Sequence, residues 1–225
     1  GIDIVDPAGT VHVLLGSYTE NIIVNQPLHL SGAGENKVTV QPAVSGPGVG
    51  EVGSLPAGAS SMVLVQADDV EVSNITFDGD NPSLTSGAVI GGADIDARNG
   101  IITDHNAVSL VENLSVHDVT VRNVYLRGIQ ASTTFGSFTF ADNATNNVQG
   151  DSESVGIANI QGGSGTISGN DVDGATTGIS TNFSLGTTIT GNAVHNSVVG
   201  IASNNNDGTG TTSADVIGGP NPGDG

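Results

Sequence analysis

The sequence predicts an all-β chain wound as a single-stranded parallel β-helix, a solenoid of about 22 residues per coil. Three observations predict it. "TISGNDVDGATTGIST" at 166–181 returns as "TITGNAVHNSVVGIAS" at 188–203. Short segments alternate apolar and polar residues, the period of a strand, and Gly, Asn, Asp and Ser break them. No stretch carries a helical period of about ten residues or more. Short strands repeating at coil length bury their apolar faces by stacking, each beside its equivalent about 4.8 Å away. A sandwich or an antiparallel barrel would not require repetition at the level of phrases.

The elements follow in chain order, with boundaries at 1–60, 61–130 and 131–225 within one β-helix domain. The opening "GTVHVLLGSYTENIIVNQPLHLSGAG" at 9–34 supplies the first coils. In the middle segment, "DVEVSNITFDG" at 69–79 matches "DVTVRNVYLRG" at 118–128, which suggests two coils plus a loop, with a long insertion near 80–107. The last segment holds the regular coils. Ile167/Ile189 and Val172/Val194/Val216 are expected to point inward, and Gly178-Ile179 goes back to Gly156-Ile157 and on to Gly200-Ile201. Asn170-x-Val172 is aligned with Asn146-x-Val148. Asn170 and Asn192 are expected at a turn, where stacked amides satisfy backbone groups.

Composition excludes several partners. There are 23 acidic residues against four basic ones, Lys37, Arg98, Arg122 and Arg127, for a net charge of −19. Binding nucleic acid needs clustered Lys and Arg, so no nucleic-acid partner is expected. No apolar run of about 18 residues exists, so no membrane insertion is expected. With no Cys, disulfides and thiolate metal sites are excluded.

The opening residues Gly9, Thr10, Val11, Val13, Gly16, Tyr18, Glu20, Ile22, Leu28, Leu30, Gly32 and Gly34 resemble the first coils of right-handed parallel β-helices of the pectate-lyase-like superfamily. The ending "ADVIGGPNPGDG" at 214–225 resembles loops of long β-helix arrays in bacterial surface and secreted proteins. The resemblance implies the fold and an extracellular or cell-surface location. It does not fix an activity, because one such fold hosts many. The family's usual cap helix has little room before Gly9, and the last repeat stops part-way. The chain is therefore expected to be a piece of a longer protein, or to associate end to end.

Enzymes of the superfamily act mostly on acidic polysaccharides, but their motifs are nearly absent. Asp68-Asp69 matches one dipeptide and precedes its strand; Asp104-His105 matches another. "DIDARNGIITDHN" at 94–106 offers Asp94, Asp96 and Asp104 as oxygen ligands for Ca²⁺, against the simpler reading of a polar loop with Asx turns. Gly100 falls one position late for an EF-hand loop. For a lyase, Tyr125 as base and Arg127 as clamp would share one strand face, with Arg122 and Asp118 nearby and His117 beside them. The simpler reading pairs Arg122 and Arg127 with neighbouring acids. "DGD" at 78–80 and "NNND" at 204–207 read as turns, and the Thr166/Thr188 and Ser168/Thr190 pairs as a short hydroxyl ladder. The main functional expectation is a non-catalytic β-helix module with a structural, adhesive or assembly role, contacting polysaccharide or other surface proteins. The alternatives are a polysaccharide lyase or hydrolase and a carbohydrate-binding module.

Overall fold

The computed structural model describes residues 2, 5–50, 53–106, 111–132, 136–204 and 215–218. Its strands form a parallel β-helix. The first face stacks Gly9–Val13, Leu28–Gly32, Val70–Ser73, Leu114–His117, Ser137–Ala141, Ser164–Ser168, Thr187–Thr190 and Val216–Ile217. The second stacks Gly16–Thr19, Val38–Gln41, Thr76–Asp78, the start of Thr120–Ala131, Ala144–Val148, Asp171–Ala175 and Ala193–His195. The third stacks Ile22–Val24, Ser61–Val65, Ala97–Thr103, the end of Thr120–Ala131, Val155–Ile160, Thr177–Asn182 and Val199–Asn204. Every pairing between coils is parallel. Parallel crossovers of this kind wind to the right.

Period-2 alternation becomes ladders running along the bore. On the third face Ile22, Val63, Ile101, Ile129, Ile157, Ile179 and Ile201 stand in register. On the first, Leu30, Val72, Val116, Phe140, Ile167 and Ile189 do the same. Each fully buried rung contributes roughly 1.5–3 kcal/mol of transfer free energy. Such a solenoid is held coil by coil, since each rung touches mainly its neighbours.

The corners are built from polar side chains. Asn143, Asn170 and Asn192 form the expected amide stack. The Asn170 Oδ1 accepts from the Asn143 N–H at 3.0 Å and its Nδ2 at 2.9 Å, and the Asn170 Nδ2 donates to Asn192 Oδ1 at 2.8 Å. Asn74 and Asp118 at one corner and Asn123, Asn147 and Asn196 at the next take left-handed φ values between 48° and 60°, which Asn and Asp tolerate better than other residues with a Cβ.

Several registers differ from the sequence expectation. Asn143, not Asn146, is the equivalent of Asn170; a 27-residue separation hides it. Val216 pairs with Thr188 on the first face, so the inward column of Val172 and Val194 on the second face does not include it. The 69–79 phrase aligns with 113–123 rather than 118–128: Val72 pairs with Val116 and Asp78 with Arg122. The two phrases lie on successive coils, and the residues between them form one enlarged coil. That enlargement is not all loop. It contains a short antiparallel pair, Val89–Ile90 with Ala93–Asp94, and then the fully buried strand Ala97–Thr103.

Candidate functional site

The longest strand, Thr120–Ala131, passes from the second face to the third and carries Arg122, Tyr125 and Arg127. Asn123 and Asn147 mark the corner it turns. Just beyond, the ring of Tyr125 lies over backbone that has no side chain. A Cβ at Gly150 would sit 2.2 Å from the ring, and one at Gly48 would sit 3.6 Å from it. Only glycine fits at 150.

Gly48 belongs to the stretch 42–50, which leaves the second face; with 53–60 it lies across the outside of the third. Three side chains of the third face hold it there. The Arg98 Nε and Nη2 donate to the Gly53 carbonyl at 3.0 and 2.8 Å, and Nη1 donates to the Pro47 carbonyl at 3.0 Å. Asn99 Nδ2 donates to the Ser54 carbonyl at 2.7 Å. The Ser54 hydroxyl donates to Gln130 Oε1 at 3.4 Å. Gln130 is buried beneath it, and Ile102 and Ala158 of the same register column are buried as well.

Between this segment and the turn 151–154 lies an open cleft of about 340 Å³ lined by Gly48, Gly53, Arg98, Tyr125, Asp151 and Glu153 among others. The Arg98 guanidinium carbon is 5.7 Å from the Tyr125 ring centre, a cation–π distance. Asp151 Oδ1 accepts the Glu153 N–H at 2.8 Å, an Asx turn that orders this wall. Glu153 is exposed and Asp151 half-exposed. A second opening of similar volume lies at the first coil, lined mainly by apolar side chains such as Val11, Val13, Ile22 and Leu30. It is the end of the core, with few polar groups converging on it.

The candidate residues separate. Tyr125 lines the cleft. Arg127 is buried beneath the wall, donating from Nη1 to the Glu153 carbonyl. Burial pushes its guanidinium down to about 10; Glu153 opposes that, Arg98 adds to it and Asp151 opposes it. Arg122 binds Asp78 on the preceding coil through Nε and Nη2, both at 2.9 Å. Asp118 stands at the corner between the first and second faces, bonded to His117 Nδ1 at 2.8 Å. The structure thus brings Tyr125 and Arg127 to one region, with the guanidinium turned inward, and leaves Arg122 and Asp118 elsewhere.

The Ca²⁺ candidates do not gather. Asp94 Oδ1 accepts from the Ser86 hydroxyl at 2.6 Å and the Gly87 N–H at 3.0 Å. Asp96 is buried, accepting the Asn81 N–H at 3.2 Å. Asp104 accepts from Gln66 Nε2 at 2.8 Å and the Asn106 N–H at 3.0 Å. Among the described residues no three His, Asp or Glu side chains are arranged to hold a metal ion. Asp78 of the "DGD" stretch is a strand residue; 205–207 lie outside the described residues. The Thr166/Thr188 and Ser168/Thr190 pairs are in register. Asp151, Glu153 and the segment around Gly48 escape sequence reasoning, because their only signal is Gly150 before an Asp-Ser-Glu-Ser turn.

The fold is a parallel β-helix. No protein-family model matches the chain. No curated protein matches it. Two solved structures are similar to it. One is a pectin methylesterase in complex with a hexasaccharide, at 13% identity and a TM-score of 0.48, covering 89% of this chain and 72% of the other. The second is the pectin methylesterase PemA from Erwinia chrysanthemi, at 12% identity and a TM-score of 0.40, covering 79% and 71%. Among the described residues no helix is long and apolar enough to cross a membrane.

Proposed function

We propose that this chain is an extracellular or cell-surface β-helix that recognises polysaccharide, with the Tyr125 cleft as its binding site. One observation carries the reading: an aromatic residue, Tyr125, lines one open cleft together with two acidic residues, Asp151 and Glu153. Sugars are bound by packing C–H faces on an aromatic ring while fixed acceptors take their hydroxyl protons. Tyr125 supplies the first, and Asp151 and Glu153 the second. The ring is pre-positioned by Gly150 and Gly48, so little ordering cost falls on binding. The test is retention on a panel of immobilised polysaccharides. Binding weakened roughly tenfold or more by Tyr125→Ala, with the circular dichroism spectrum unchanged, is expected. No retention on any polymer, or retention indifferent to Tyr125, overturns the reading.

The carboxylate pair also supports a second reading, glycoside hydrolysis, in which one carboxyl protonates the leaving oxygen and the other attacks or activates water. It requires reducing ends to appear during incubation and to vanish in Glu153→Gln and in Asp151→Asn.

A further inference from the structure

Resting on that reading, we infer that the cleft selects uncharged, hydroxyl-rich polysaccharides and rejects uronate-containing ones. Recognition of a uronate carboxylate calls for a guanidinium or ammonium fork presented to the ligand. The region contains two guanidiniums, Arg98 in the cleft lining and Arg127 behind its wall, and both commit N–H groups to backbone carbonyls. Arg98 spends Nε, Nη1 and Nη2 on the Pro47 and Gly53 carbonyls of the covering segment. Its exposure is 3%, and its remaining π-facing surface lies toward Tyr125. Arg127 is 9% exposed and directs Nη1 at the Glu153 and Leu126 carbonyls. Both act as pegs that hold backbone in place.

The more exposed ionisable groups of the lining have the opposite sign. Asp151 and Glu153 stand at its wall. A uronate entering it meets two carboxylates at close range on a chain of net charge −19. Like charges at such separations disfavour binding, and the protein's summed field slows the approach of a polyanion. A neutral sugar meets no such barrier, and the same carboxylates accept its hydroxyl protons. Sign of charge thus sets specificity here: the more exposed ionisable groups of the lining are the two acids, while Arg98 and Arg127 remain charged but commit N–H groups to backbone carbonyls.

Affinity electrophoresis tests this with neutral β-glucan, galactan and mannan against polygalacturonate of matched length, in EDTA, at 20 mM and 500 mM NaCl. At least one neutral polymer is expected to bind more than about tenfold tighter than polygalacturonate at low salt. The gap should narrow at high salt, where the screening length falls from roughly 20 Å to below 5 Å. It should narrow also in the Asp151→Asn/Glu153→Gln double variant, whose side chains keep their shape. Polygalacturonate bound as tightly as the neutral polymers, through Tyr125, overturns the inference and leaves polysaccharide recognition standing. A gap indifferent to both salt and the double variant overturns it as well. If no polymer binds, both readings fail together.

Discussion

Asn170 offers the sharpest test of how the coils are fastened. Its side chain makes four hydrogen bonds at 1% exposure. In Asn170→Ala, two of the partners keep a second bond: Asn143 Nδ2 still reaches the Val116 carbonyl, and Asn192 Oδ1 still accepts the residue-170 N–H. The Phe140 carbonyl stays within a strand paired on both sides. The Asn143 N–H loses its bond to the amide in a buried setting. A buried unsatisfied group costs about 1–3 kcal/mol, so the loss is about 2 kcal/mol. With a urea slope near 2 kcal/mol/M, the unfolding midpoint should fall by about 1 M. Asn196→Gly is the control, since that amide bonds Asp173 at an exposed site and glycine keeps the left-handed backbone there; it should cost less than about 0.5 kcal/mol. Asn170→Asp should be worse than Ala at pH 7, because a carboxylate faces the Phe140 carbonyl and Asn192 Oδ1 without a proton to donate. That excess should shrink below about pH 4, where the carboxyl regains its proton. If Asn170→Ala and Asn196→Gly cost the same, the amide stack does not fasten the coils and the reasoning fails.

Two glycines with the same sequence context should part company. A Cβ at Gly156 would lie 2.5 Å from Val172 Cγ1 and 2.8 Å from the Gly178 carbonyl oxygen, whereas at Gly200 nothing described lies within 4 Å; Gly156→Ala should lower the thermal midpoint by several degrees and Gly200→Ala should leave it unchanged. Asp80 is held above its ordinary carboxyl value, first by burial and then by Asp78, with Asp96 and Asp94 adding to it. The folded state therefore binds this proton more tightly than the unfolded state, a penalty on the charged form that grows as pH rises through 3.8. Asp80→Asn should stabilise the protein at pH 7 and lose that advantage near pH 3 in denaturant melts. His105 is held below 6.5, first by burial, with Asp104 opposing and Arg127 assisting. Stability should fall as pH drops below 6.5, and His105→Asn should flatten that part of the profile.

Legibility followed loop length. Ile167/Ile189 and Asn170/Asn192 were readable because the two coils have equal length, with Asn170 and Asn192 22 residues apart. Asn143 was hidden by a few extra residues, although it makes the same bonds. The shift in the middle of the chain has a more instructive cause. Asn74 and Asn123 look equivalent because both follow an alternating strand and both take left-handed φ near 60° and 55°. They sit at different corners of the coil. A corner selects for a residue that tolerates that backbone, whichever faces it joins, so a turn signature reports that the chain bends and not where on the coil it does so. The pairing of Asp78 with Arg122, separated by 44 residues, settles the register.

The site was less legible for a related reason. A repeat constrains inward positions, because each must match the rung above and below it. Outward positions carry no such constraint unless something covers them. Arg98 lies in a stretch that reads as a polar loop, yet it is a strand residue whose guanidinium donates to the Pro47 and Gly53 carbonyls. Nothing in the local spacing of 94–106 shows that another segment, some 45 residues earlier in the chain, will lie across it. The same holds for Arg127, whose partner carbonyl is on the next coil. The lyase alternative needs Arg127 as a clamp, while its guanidinium is committed to the Glu153 carbonyl and that of Arg98 to the Pro47 and Gly53 carbonyls. What faces outward there is Tyr125, Asp151 and Glu153, and the chemistry of the cleft follows from those three.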